Sequence, residues 1–337
     1  MINVPFGIIV VLTTTVVLRG RETDIVPVKL NLIGLSLLVL GVGCLQIMLD
    51  KGNDLDWFSS NLIVSLCIIS VLSIILLIIW EATSSNPLID LSLFKSRNFC
   101  IGVLAISCAY LIYSGAIVLM PQLLQEVFGY TSVWAGLAYS PIGIIPLIIA
   151  PIIGHYGNKI DMRILVTFSF IVYSGCYYWR AITFNTDIDF TAIIVPQFIQ
   201  GFAVACFFLP LTTITLSGLA PDKFAAATSM SNFFRTLAGS IGTSITITLW
   251  SRGGSFHHSN LSESISTFSE ESVDLIKKLS YEGLDLSQSL QYINTQVTQQ
   301  SLLVSANDIF YYSSGIFLML TLIVWFARPP FNTKPAT

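Results

Sequence analysis

Arg235 poses the sharpest chemical question in this chain. It is the one basic residue well inside the apolar stretch 228–250, which is long enough to cross a hydrocarbon core of about 30 Å. A guanidinium at that depth costs about 3 kcal/mol on insertion scales, so it must face a cavity or a partner. The residues around it are ordered. Thr228, Asn232, Thr236, Ser240, Ser244 and Thr248 recur at every fourth position, and Ser231, Arg235, Gly239 and Thr243 form a second row beside them. Rows of this spacing are the ridges of a helix, and small residues let helices approach closely in lipid. Phe234, Leu237, Ile241, Ile245 and Leu249 are left for the lipid side. Two readings of Asn232 and Arg235 follow: groups in a solute or proton path, or groups that fix packing or snorkel. Gln197 and Gln200, three apart on one face of the stretch 191–216, pose the same choice. Their amides either hydrogen-bond a solute or tie down a neighbouring helix.

Few other residues could carry chemistry. Glu126 and Asp308 lie near the ends of apolar stretches and are the candidate proton carriers. Asp308 also reads as a first-turn acid favoured by the helix dipole. His257 and His258 fall in a polar segment without acidic or cysteine partners at metal-ligand spacing, and His155 reads as a loop residue, so no metal site is expected. The six cysteines all fall in apolar stretches without a CxxC pair and read as small buried hydrophobes.

The composition shows what must position these groups. Of 337 residues 54% are hydrophobic and 10% charged, and the mean hydropathy is +0.77. Soluble domains carry about 25% charged residues, so this is an all-α polytopic membrane protein. A net charge of −3 offers no footprint for nucleic acid. About nine spans can be laid out: 3–18, 30–49, 61–80, 99–124, 133–153, 164–182, 191–216, 228–250 and 302–327. The second and third are apolar all round and read as peripheral, lipid-facing helices. The fifth holds Pro141, Gly143, Pro146 and Pro151 and should be bent. The segment 251–301 is polar and reads as a long outside loop with an amphipathic helix near 270–279. Lys and Arg alternate so that Met1 lies outside and the carboxy terminus inside; Arg180, beside Trp179, falls at an outer end.

Several phrases, taken in order, resemble one family. Ile2 to Gly7 reads INVPFG, and Gly154 to Arg163 forms a charged hairpin containing Asn158, Lys159 and Asp161. Further on come Pro196-Gln197-Phe198 with Gln200-Gly201, Phe208-Leu209-Pro210-Leu211, and Ser231-Asn232 with Arg235-Thr236-Leu237-Ala238-Gly239-Ser240. These resemble the 14-helix drug:proton antiporters of the major facilitator superfamily, of the EmrB/QacA type and closest to the EmrB branch. The hairpin is similar to that family's gate loop, with Asn158 where the family has an acid and Lys159 where it has an arginine.

The resemblance implies a major facilitator fold with most of the amino-terminal half missing. Residues 1–18 would be the last helix of that half, 19–97 two extra linker helices with cytoplasmic loops, 98–328 the carboxy-terminal six-helix half, and 329–337 a cytoplasmic tail. It also implies a proton-coupled multidrug efflux permease of the bacterial inner membrane, exporting hydrophobic or amphiphilic compounds. No cofactor beyond the proton gradient is implied. The partners would be the bilayer, the drugs, a periplasmic membrane-fusion adaptor and an outer-membrane channel. The other reading is a transport-inactive remnant or structural membrane subunit; an enzyme finds no support in the residues.

Overall fold

The computed structural model of the chain describes residues 3–18, 31–84, 91–156, 160–264, 270–281, 283–329 and 331. Among these residues the structure is helical throughout. In order come α1 (Asn3–Leu18), α2 (Leu32–Gly52), α3 (Asn61–Thr83), α4 (Arg97–Glu126), α5 (Ser132–Tyr139), α6 (Ile144–Tyr156), α7 (Met162–Thr183), α8 (Phe190–Leu216), α9 (Phe224–Ser264), α10 (Glu270–Tyr281) and α11 (Leu286–Val324). Every stretch expected to span falls on a helix. Six runs among the described residues are long and apolar enough to cross a membrane: α2, α3, α4, the run Ser132–His155, α8 and α11. Helix α1 is shorter, while α7 and α9 have the length but carry polar rows and arginines.

The expected bend is a break. Between α5 and α6 the chain tightens into a 3₁₀ turn over Ser140–Gly143, with Pro141 inside it. Proline cannot donate the backbone bond that would continue an α-helix, and the turn accommodates the loss.

A close pairing of α4 with α9 is flanked by α8 and α11, and α7 packs on those two. Glycine makes the pairing possible. A methyl group at Gly242 would collide with the Leu111 carbonyl, and one at Gly115 with the Thr246 side chain. With the backbones this near, Ser114 Oγ donates to the Gly239 carbonyl at 2.7 Å. This is the small-residue packing that lipid favours, where dispersion and hydrogen bonds replace the hydrophobic effect between helices.

Helices α2 and α3 form a pair at the edge, joined by Ser70 Oγ donating to the Gly41 carbonyl at 2.8 Å. The pair also leans on α9. Ser244 Oγ donates to the Leu49 carbonyl at 2.8 Å, Ser240 Oγ donates to Gln46 Oε1, and Ile241 packs on the Met48–Leu49–Ile63 cluster. The lipid side of α9 is therefore narrower than its apolar row suggests: Ile245 and Leu249 are exposed, but Phe234 and Ile241 are covered.

The largest departure from expectation concerns 251–301. Helix α9 runs straight through 251 to Ser264, and α11 has already begun at Leu286. A capping box at Asp285 and Gln288 starts α11. Helix α10 packs back on this pair through Leu279, Ile293 and Val297.

Candidate functional site

Helix α7 starts at an Asp161 N-cap, whose side chain accepts from the Arg163 backbone N–H. The helical register then brings Tyr173, Tyr177 and Arg180 onto one face. That face meets α8 and α11, and all three side chains are buried, Arg180 to 2% exposure. Nη2 of Arg180 donates to Gln197 Oε1 at 3.0 Å and to Gln200 Oε1. The guanidinium carbon stands 5.3 Å from the Tyr177 ring centroid and 5.8 Å from that of Phe310. No carboxylate pairs with it among the described residues. Two amide oxygens and two ring faces thus hold a buried cation, each a favourable but partial substitute for a counter-ion. The set is incomplete: among the described residues Arg180 Nε, Gln197 Nε2 and the hydroxyl of Tyr173 are buried without hydrogen-bond partners.

Arg180, read from the sequence as lying at an outer helix end, is buried near the end of α7. Phe310 covers the last turn of α7, and Asn307 Nδ2 donates to the Phe184 carbonyl just beyond it at 3.0 Å. Gln197 and Gln200 both accept from a side chain of the neighbouring helix α7. The signal for the cluster was present as two matching faces, Tyr173/Tyr177/Arg180 and Gln197/Gln200.

Arg235 lies elsewhere on the same aromatic frame. Its guanidinium carbon is 5.3 Å from the Tyr110 ring centroid on α4 and 5.7 Å from that of Phe208 on α8. It is half-buried, and its Nε is buried without a hydrogen-bond partner among the described residues. From there rings continue to Arg180. Tyr113 lies 5.8 Å from Tyr110 and 5.9 Å from Tyr173, and Phe208 lies 4.5 Å from Phe207, itself 6.0 Å from Tyr173. Tyr173 and Tyr177 then stack. Tyr110, Tyr113, Phe208 and Arg235 are partly exposed, so this end of the wall is open, whereas the Arg180 end is sealed. Asn232, one turn before Arg235, is exposed and makes no side-chain contact with the arginine cluster of α7.

The remaining candidates are dispersed. Gly154 is exposed near the end of α6, while Asn158 and Lys159 lie outside the described residues. Asp161 and Arg163 form a bidentate pair, with Nη2 to Oδ2 at 2.7 Å. That hydrogen bonding holds the Asp161 carboxyl below its ordinary range and the Arg163 guanidinium above its own. Arg163 also lies over the Trp325 and Phe331 rings at 5.0 and 5.5 Å and donates to the Ala327 carbonyl, which ties the hairpin to the end of α11. Glu126 is exposed at the last residue of α4. Asp308 is not a first-turn acid, because α11 begins at Leu286. Its Oδ2 lies 2.9 Å from His257 Nε2 on α9, a contact hidden from sequence reasoning by the assignment of His257 to a loop.

The sequence matches the family model described as Major Facilitator Superfamily over residues 55–243. Among curated relatives it is 63% identical over 337 residues to the probable multidrug resistance protein EmrY of Escherichia coli K12, covering 99% of this chain and 65% of that protein. It is 59% identical over 331 residues to the multidrug export protein EmrB of the same organism, covering 98% and 65%. It is 45% identical over 332 residues to the fatty acid resistance protein FarB of Neisseria gonorrhoeae, again covering 98% and 65%. The chain thus spans about 65% of the length of the curated relatives it matches.

Proposed function

The chain belongs to the Major Facilitator Superfamily, and from that premise we propose that it works in a proton-coupled multidrug export permease of the bacterial inner membrane, for hydrophobic or amphiphilic compounds. In this reading 98–328 form one six-helix half, and 1–18 and the α2–α3 pair belong to the segments that join it to another half. Transport proceeds as the halves rock about a site at their interface. A periplasmic adaptor and an outer-membrane channel complete the export route, and the proton gradient drives it.

The observation that supports this best is the open aromatic face of Tyr110, Tyr113 and Phe208 under Arg235. Ring faces accept many apolar shapes, and a single polar handle orients them without demanding one partner. The names of the relatives, two of which mention multidrug resistance or export, point the same way. Within a complete exporter carrying this half, Arg235→Ala should lower drug efflux several-fold with unchanged protein in the membrane. Efflux from pump-deficient cells loaded with a fluorescent drug is the measurement, and undiminished efflux would remove Arg235 from the path.

A further inference from the structure

The outward continuations of α9 and α11 enclose a hollow with the end of α4. Its volume is about 550 Å³, within the range of sites that take drug-sized molecules. Its walls are of two kinds. Trp250, Ile247 and Leu302 supply an apolar side, and the indole is fixed in place because Nε1 donates to the Leu302 carbonyl at 2.9 Å. Gln122, Glu126 and His258 supply the polar side. His258 is engaged at both ring nitrogens, with Asn294 Oδ1 at 3.1 Å and Ser262 Oγ at 3.4 Å, so it is held as wall. A second hollow of about 150 Å³ shares Asn53 and Ile247 with the first and brings Asp50 and Asp54 to its rim.

The charge pattern is one-sided. Neither hollow has a lysine or arginine among its lining residues. Asp54 is paired with Lys51 at 3.4 Å, and among the described residues Asp50 accepts only from the neutral amide of Gln46 at 3.0 Å. Glu126 makes no ion pair or side-chain hydrogen bond among the described residues. A carboxylate at the mouth of a hollow, beside a fixed indole and without a cation of its own, is the arrangement that attracts an organic cation. The ion meets opposite charge at its centre and aromatic and aliphatic surface around it.

We propose that this hollow binds a lipophilic organic cation, with Glu126 as its counter-charge and Trp250 as its apolar wall. The purpose of the site rests on the export reading, but its test does not, because binding is measured without transport. Tetraphenylphosphonium and tetraphenylborate have the same shape and opposite charge, which separates recognition of charge from partition into detergent. Equilibrium dialysis with the purified chain should show saturable binding of the phosphonium only. That binding should weaken with salt, weaken about tenfold in Glu126→Gln, recover in Glu126→Asp, and vanish in Ser255→Trp, which fills the hollow from an exposed wall position. Equal binding of the two ions, or phosphonium binding unaltered in Glu126→Gln or in Ser255→Trp, would overturn the proposal. Binding with these properties in a complete exporter that moves no drug would instead overturn the export reading alone.

Discussion

A buried arginine without a carboxylate sets a clear expectation. Arg180 holds the side-chain oxygens of two fully buried glutamines, and among the described residues its charge is compensated only by them and by two ring faces. Arg180→Ala would strand both acceptors, at about 1–3 kcal/mol for each buried group left unpaired. A thermal melt in detergent should fall by several degrees, and more than for Arg235→Ala, whose guanidinium makes no hydrogen bond to an amide. An unchanged midpoint would show that the cluster contributes nothing to the fold. The two arginines also differ in legibility. Arg235 announces itself by lying deep in an apolar run. Arg180 lies near the end of one, next to Trp179, where an arginine ordinarily reaches for the interface. Only its pairing with the glutamine face of α8 would have placed it inside, and a single sequence does not say which faces meet.

Between elements, the contact that matters most is α4 against α9. The sequence shows rows of small and polar residues on α9 facing other helices without naming the partner; two of the serines turn to α2 rather than to α4. Gly242, which belongs to neither row, makes the nearest approach. Gly242→Leu should force the helices apart, a cost of about 1–3 kcal/mol or more from overpacking. The expected readout is faster proteolysis of the folded chain and a lowered melting midpoint, with Gly242→Ala intermediate. A leucine variant as resistant as the parent would mean that α4 and α9 pack differently. The continuation of α9 and α11 past 251 and before 302 was missed because serine, glutamine and glutamate suit an exposed helix as well as a loop. The overlooked signal is negative: residues 255–282 contain neither glycine nor proline, the usual markers of a loop.

For the molecule as a whole, the export reading carries a consequence for these 337 residues taken alone. Alternating access requires two halves moving about a shared site. On that reading 98–328 are one half, and in these residues taken alone Asn232 is exposed, the Arg235 face is partly open, and the described side chains of α1 are all exposed. Unsatisfied polar groups in lipid cost several kcal/mol each by rough measure, so such a surface calls for a partner. Residues 1–337 expressed by themselves in cells lacking their own pumps should therefore confer no proton-dependent efflux, while co-expression with an amino-terminal half from a relative should restore some. Efflux at the level of an intact pump from 1–337 alone would overturn this. At this scale composition and motif order carried most of what was legible: the helical membrane class and the family both follow from them.

The length of α9 has a mechanical meaning. Its 41 residues form one helix, about 60 Å at 1.5 Å per residue, twice the thickness of a hydrocarbon core. A rod of that kind is a lever with its fulcrum where glycines clamp it against α4. If it tilts by about 10° about Gly242, a tip roughly 33 Å away at Ser264 swings by about 6 Å. Because α9 and α11 are joined beyond the apolar stretch of α9 by His257 and Asp308, the two would swing together. On the export reading, whatever rests on that tip is thereby told which way the transport site is facing.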